Sequence, residues 1–247
     1  MTESRPRPGP GSVGTPRGFL FDVFGTVVDW RRSVARGLAS RLAPLGVAAD
    51  WAALADGWRA RYDPSMAPVR AGRRDWVVLD ALHRESLEDL LAAEGLGPFD
   101  AAVLDDLTWL WHRLEPWPDA REGLRRLGTL APCATCSNGH IAMIVAMARA
   151  GGLRWDAVLG AEIARDYKPA PAVYLASAPA LGLAPGAAMM VAAHNADLAA
   201  ARAAGLRTAF VRRPAEHGPG QSVDLEPEGD WDVVADDLVD LATRLGG

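Results

Sequence analysis

Four short stretches of the chain carry groups that could do covalent chemistry: Asp22-Val23-Phe24-Gly25-Thr26, Ser137-Asn138-Gly139, Lys168-Pro169 and His194-Asn195-Ala196-Asp197. A carboxylate beside a lysine is favoured in its ionised form. An ionised carboxylate can act as a nucleophile and divide one difficult displacement into ester formation and ester hydrolysis. Thr26 is close enough in sequence to Asp22 to hydrogen-bond its carboxylate and fix the rotamer. A histidine titrates near neutral pH and suits the removal of a proton from water. Taken singly, each group has a plainer explanation: an Asp at a strand end is a turn or cap residue, Ser-Asn-Gly is an ordinary turn, and a lone lysine is solvated. Their order, and their shared place at strand ends, make the set much harder to dismiss.

That shared place follows from the hydropathy pattern. Gly18 to Val23 is a short apolar run ended by Gly25, a buried strand that delivers Asp22 at its carboxyl end. Residues 31–45, 50–62, 75–93 and 100–113 read as helices with few strand signals between them. Beyond Pro116 and Pro118 the pattern alternates, with helices over 120–127, 139–150, 171–181, 197–204 and 232–245 and strands over 133–136, 157–160, 188–192 and 208–211. Alternation of this kind predicts a parallel sheet with helices on both faces. The expected architecture is therefore α/β, a Rossmann-like parallel sheet core with a helical insert after its first strand. Residues 17–30 and 116–247 form the core, 31–115 the insert, and 1–16 a disordered tail rich in Pro, Gly and Arg. Ligands of such sheets sit at the carboxyl ends of the strands, where the four stretches fall. Ser137, Asn138 and Gly139 also fall at the start of the helix over 139–150, and a helix N-terminus is an anion site. Simple capping of the first turn is the plainer reading, and both can hold at once.

The segments FDVFGT, SNG, YKPAPAVY and VAAHNADLAAARAAGLRTAFV resemble, in this order, the four motifs of the haloacid dehalogenase superfamily. The resemblance runs from Gly18 to about Val211, and the helical insert is similar to the cap domain that the family places after its first strand. It implies the haloacid dehalogenase fold and a catalytic set of Asp22 as nucleophile with Thr26, Lys168 and Asp197. It implies Ser137, Asn138 and Asn195 as substrate contacts. The segment WRARY, Trp58 to Tyr62, is similar to the cap segment where haloacid dehalogenases place an active-site arginine. That implies Arg59, with Arg61 as the alternative, facing the departing halide and stabilising its developing charge. Tyr174, six residues after Lys168, matches a family tyrosine near the nucleophile, although a packed helix residue would look the same. Of the nine tryptophans, Trp76, Trp109 and Trp111 fall in the cap, where most are expected to be core or interface residues.

Two positions separate the chemistries within the superfamily. Phosphatases that resemble this chain carry a second Asp two residues after the nucleophile, a general acid for an alkoxide leaving group. This chain has Phe24 there, and a halide needs no proton to leave, so Phe24 is placed in the substrate pocket. Magnesium-dependent relatives usually have an Asp four residues before the last acid, where this chain has Ala193. Asp22 and Asp197 alone are too few for Mg²⁺, which wants several oxygen ligands. The reading is a type II, (S)-2-haloacid dehalogenase. It converts short 2-haloacids to 2-hydroxyacids through an aspartyl ester, with no metal and no cofactor. The chain departs from many such enzymes in having Ala192 and His194 where Ser or Asn is common, and His-Asn is similar to a sub-branch of the same type. His194 becomes the natural base for ester hydrolysis, against a structural hydrogen-bonded His as the alternative.

The bulk composition agrees. A chain of 247 residues, 49% apolar, can bury a sizeable core. A formal charge of −5 without a basic patch argues against nucleic acid and leaves room for a local site that takes small anions. No apolar run is long enough to span a bilayer. The absence of a signal-peptide pattern, with two cysteines, points to the reducing cytoplasm. Cys133 and Cys136 form a C-x-x-C without a second Cys/His pair nearby, on a strand that would send them to opposite faces, so they read as core residues. Whether the chain works alone or as a homodimer is open. Three rivals remain: a Mg²⁺-dependent phosphatase of the same fold, a hydrolase that opens a strained carboxylated ring, and a non-catalytic binding protein. The intact set of reactive residues argues against the last.

Overall fold

Gly18–Phe21 forms strand β1, and all four residues are buried. In the computed structural model, which describes residues 15–247, this strand sits inside the sheet, so both its faces must be apolar. Most of the tail expected over 1–16 lies outside the described residues. The other strands are β2 (Val28–Asp29), β3 (Glu115–Pro116), β4 (Cys133–Thr135), β5 (Ala188–Ala192), β6 (Arg207–Val211) and β7 (Val233–Ala235). Five of them make a parallel sheet in the order β4-β1-β5-β6-β7. Side chains alternate between two clusters: Phe19, Phe21, Met189 and Val191 join one, Leu20, Ala188, Met190 and Ala192 the other. Fully burying a side chain of this size stabilises the fold by about 1.5–3 kcal/mol, which pins the register. Cys133 and Cys136 fall into opposite clusters as free thiols, and burial pushes both up to about 12.

Between β2 and β3 the chain is helical: α1 (Trp30–Leu42), α2 (Trp51–Ala60), α3 (Tyr62–Arg70), α4 (Leu79–Ala93) and α5 (Ala101–Thr108), the last continued by a 3₁₀ turn over Trp109–His112. The caps are in the sequence: Asp29 accepts from Arg32 N at the start of α1, and Asp50 from Ala52 N and Ala53 N at the start of α2. The antiparallel pair β2–β3 brackets this block where it leaves and rejoins the sheet. Helix α3 was not expected; Pro64 lies in its first turn, where N–H groups have no helical partner in any case. Helices α6 (Ala120–Leu127), α7 (Ile141–Gly151), α8 (Ala161–Ala164), α9 (Pro171–Ala180), α10 (Asn195–Ala203) and α11 (Leu238–Arg244) complete the fold.

Two expectations are corrected. Residues 157–160 do not form a ladder strand; they make isolated bridges, Ala134 to Ala157 and Ser137 to Gly160. The Thr135 hydroxyl takes the Leu159 N–H at 2.9 Å and donates to Leu159 O at 2.8 Å, replacing ladder bonds, and Gly160 turns away at φ +127°. Likewise, 232–245 is not one helix. Val233–Ala235 pairs with β6, and α11 begins only after Asp237, whose carboxylate caps it by accepting from Asp240 N.

Candidate active site

Asp22 follows β1 directly, and the neighbouring strands β4 and β5 bring their own carboxyl ends alongside. Lys168 Nζ donates to Asp22 Oδ1 at 2.8 Å and to Asp197 Oδ2 at 2.6 Å, so one ammonium bridges two buried acids. Burial opposes ionisation of Asp22, but Lys168 and His194 outweigh it and hold the carboxyl well below the usual carboxylate range. The Thr26 hydroxyl donates to Asp22 Oδ2 at 2.7 Å and accepts from Ala193 N at 2.9 Å. That chain of bonds runs from the backbone at the end of β5 to the carboxylate and fixes its rotamer. Tyr174 donates to the second oxygen of Asp197 at 2.5 Å. Asp197 is therefore committed to a lysine and a tyrosine, which ties Lys168 in place and leaves this acid poorly suited to take a proton from water.

His194, the N-cap residue of α10, is held between two carboxylates. Its Nδ1 lies 3.3 Å from Asp22 Oδ2 and its Nε2 3.0 Å from Glu216 Oε2. Burial alone would lower its pKa, yet Glu216 and Asp22 raise it well above the ordinary histidine value. The neutral imidazole expected from the sequence is thus corrected: with Asp22 ionised, this geometry favours the imidazolium. Glu216 is 1% exposed and also accepts from Trp30 Nε1 at 2.9 Å. It comes from the loop after β6 and packs on Gly25, where φ is +84° and any Cβ would collide with the Glu216 carboxylate.

A cavity of about 290 Å³ opens in front of these groups, lined by Asp22, Lys168, His194 and Asp197 on the sheet side and by Phe24, Arg59, Tyr62 and Met66 opposite. Asn138 and Tyr174 line it as well. Phe24 packs edge-on against Tyr62 and Trp111, with ring centroids 6.1 and 5.8 Å apart. Arg59 lies over the Tyr62 ring at 4.0 Å, and its Nη1 is buried with no hydrogen-bond partner among the described residues. A buried guanidinium nitrogen left unpaired is costly, and it is a natural place for an anion.

The structure separates the remaining expectations. Arg61, the alternative to Arg59, donates back to Gly57 O along its own helix. Asn138 Oδ1 accepts from Lys168 N at 2.7 Å, which anchors the lysine and keeps Asn138 at the cavity. Ser137 is buried away from the cavity lining, with its hydroxyl accepting from Gly139 N. Helix α7 begins at Ile141, two residues later than expected, and Ile141 N is already taken by Glu162 Oε2. Asn195 is corrected as a substrate contact: Nδ2 donates to Asp224 Oδ1 and Glu226 O, and Oδ1 accepts from Glu228 N and Trp231 Nε1. It holds the loop 224–231. Glu216, Tyr62 and Met66 were missed. Only Tyr62 gave a signal, as the last residue of the arginine-bearing segment.

The sequence pattern of haloacid dehalogenase-like hydrolases matches residues 16–205. A defluorinating L-2-haloacid dehalogenase of known structure is 46% identical, covering 98% of this chain and 100% of that one at a TM-score of 0.93. A second L-2-haloacid dehalogenase is 48% identical over 93% and 98% at 0.90. The L-2-haloacid dehalogenase of Xanthobacter autotrophicus, solved with chloropropionic acid covalently bound, is 25% identical over 94% and 99% at 0.80. A curated (S)-2-haloacid dehalogenase from the same organism is 38% identical over 93 residues, 37% of this chain and 36% of that relative's length.

Proposed function

The chain belongs to the haloacid dehalogenase-like hydrolases, and on that premise we propose that it hydrolyses short (S)-2-haloacids to 2-hydroxyacids through an ester on Asp22. The observation that carries this reading is the pairing across the cavity of an ionised, rotamer-locked carboxylate with Arg59, whose Nη1 is buried with no hydrogen-bond partner among the described residues. The first step forms a bond from an Asp22 oxygen to C2 of the substrate while the carbon–halogen bond breaks and the halide departs with both electrons. Back-side attack inverts C2. Arg59 meets the developing negative charge, and Phe24, Tyr62 and Met66 keep that end of the cavity apolar. Asn138 is the best-placed side chain for the substrate carboxylate. A relative solved with chloropropionic acid covalently bound supports a covalent step, and the L-haloacid specificity in the relatives' names is carried over as the proposed enantiomer.

In the second step water attacks the ester carbonyl of Asp22. Esterification removes the Asp22 charge and with it one of the two causes that hold His194 protonated. His194 then releases its Nδ1 proton to solvent, donates Nε2–H to Glu216 and turns the Nδ1 lone pair toward the ester, 3.3 Å from where Asp22 Oδ2 stood. It then takes the water proton, and the tetrahedral intermediate releases the hydroxyacid and restores the carboxylate. Glu216 fixes tautomer and orientation, as a buried acid does for a catalytic histidine elsewhere. We place the reaction outside metal chemistry, because the lysine ammonium already bridges the two acids a cation would need. We place it in the cytoplasm on the strength of two free buried thiols; among the described residues no helix is long and apolar enough to cross a membrane. Halide release from a panel of 2-haloacids, run with and without excess chelator, tests this. Release of halide from one enantiomer, unchanged by chelator, is expected; turnover of phosphomonoesters that needs Mg²⁺ would refute it.

A further inference from the structure

Away from the cavity, three side chains from three elements converge. Asp80 lies in the first turn of α4, His112 ends the 3₁₀ turn after α5, and His140 is the N-cap residue of α7. His112 Nε2 is 2.9 Å from both Asp80 oxygens, and His140 Nε2 is 3.4 Å from Oδ2. One ligand atom from each residue lies within 4.8 Å of the other two. His112 and His140 are 1% and 6% exposed, whereas the Asp80 side chain keeps 31%, which leaves a path from solvent.

Hydrogen bonding alone accounts poorly for this cluster. The contact of His140 with Asp80 is longer than a good hydrogen bond, and Nδ1 of both imidazoles is buried without a partner among the described residues. With Nε2 of each ring free of its proton, two imidazole lone pairs and a carboxylate converge on one point, where a divalent cation would complete the set. Two imidazoles and one carboxylate with an open side are the donor set of zinc-class ions.

We propose that Asp80, His112 and His140 bind a divalent transition-metal ion outside the reaction centre and pin the helical block to the sheet-bearing core. Asp80 and His112 belong to the block. His140 belongs to the core and follows Asn138, which lines the cavity, by two residues. The His112 ring is already stacked on Trp109 at 3.7 Å, so little ordering is left for the ion to impose.

Cobalt(II) added to chelator-stripped protein should give saturable visible d–d absorption at one ion per chain, displaced by Zn²⁺. At a hundred-fold excess over Kd, Zn²⁺ should raise the melting temperature by about 5–10 °C. Asp80→Asn and His140→Gln should each weaken binding at least ten-fold. In unsubstituted protein, Co²⁺ should perturb the imidazole NMR signals of His112 and His140 more than those of His194 and His217, which tests the site without any variant. No saturation at one equivalent, binding indifferent to both substitutions, or perturbation centred on His194 would overturn the proposal.

Discussion

Replacing His194 by alanine should split the reaction into its two halves. In the proposed mechanism ester formation rests on Asp22, which keeps its bonds to Thr26 and Lys168 when the imidazole is removed. Ester hydrolysis loses its base. Positioned general bases contribute about 10²–10⁴ in rate, so His194→Ala should lower kcat by that factor, about 3–5 kcal/mol at 1.36 kcal/mol per decade. Rapid quench should still show a burst of one halide per active site, and mass spectrometry should find the adduct on the Asp22 peptide. Glu216→Gln gives a second, finer reading. An opposite charge this close raises a pKa by about 1–3 units. The base works in its neutral form, so kcat rises as pH passes its pKa. Removing the anion lowers that pKa, moves the acidic limb of the profile to lower pH and leaves a weaker base on the plateau. The glutamine carboxamide can still accept from Trp30 Nε1, so a merely structural role for Glu216 would leave the limb in place. A His194→Ala enzyme with near-normal steady-state turnover, or a Glu216→Gln profile that does not move, would refute the dyad.

Three further outcomes are expected. Asp22→Asn should give no burst, and a single turnover of wild-type enzyme in ¹⁸O-water should label Asp22 before product; label that appears wholly in the product would mean direct attack by water. Arg59→Leu should lower kcat/KM by about 10²–10³, the scale for one donor to a developing charge, with the largest loss for fluoride, whose charge is most concentrated; equal losses across halogens would remove Arg59 from the leaving-group site. His194 has its folded-state pKa raised, so the stability it contributes is fully present below its unfolded value, about 6.5, and is lost as pH rises through the folded value. Urea unfolding of wild type against His194→Ala should therefore show a difference that shrinks on the alkaline side, and a difference independent of pH would contradict the charged-imidazole assignment.

Much of the fold is legible from period and punctuation. Continuous apolar runs mark β1 and β5 because a strand covered on both faces has no polar side to alternate with. The losses have local causes. The segment 157–160 carries a strand's composition, but Thr135 intercepts its main-chain groups, a side-chain competition that no hydropathy pattern records. In 232–245 the run of Val233 and Val234 was absorbed into the helix beside it, although Asp237 is a well-formed cap signal three residues later. Helix α3 carries two prolines whose positional meaning depends on where the helix starts.

The site divides along a different line. Asp22, Thr26, His194 and Asp197 stand at the ends of β1 and β5 or shortly beyond, so a correct sheet order brings them together, whereas Lys168 follows the segment 157–160 and helix α8 and is anchored by Asn138. Asn195 and Ser137 also sit at strand ends, yet their side chains turn back to hold loops, since a polar group there must be satisfied and the nearest partner was not the substrate. Glu216 is the reverse case. It sits in a Pro- and Gly-rich loop, PAEHGPG, with nothing in its neighbours to set it apart from a solvated acid. What gives it a role is tertiary: the bare Gly25 leaves room for its carboxylate, Trp30 fixes one oxygen, and His194 reaches the other. Gly25 and His194 were marked in the sequence, but the acid that joins them was not, because the residues it bonds, Trp30 and His194, lie 186 and 22 residues away in the chain. The base assigned from sequence as a lone neutral histidine is therefore better described as half of a buried pair, whose proton affinity changes when Asp22 gives up its charge to the ester.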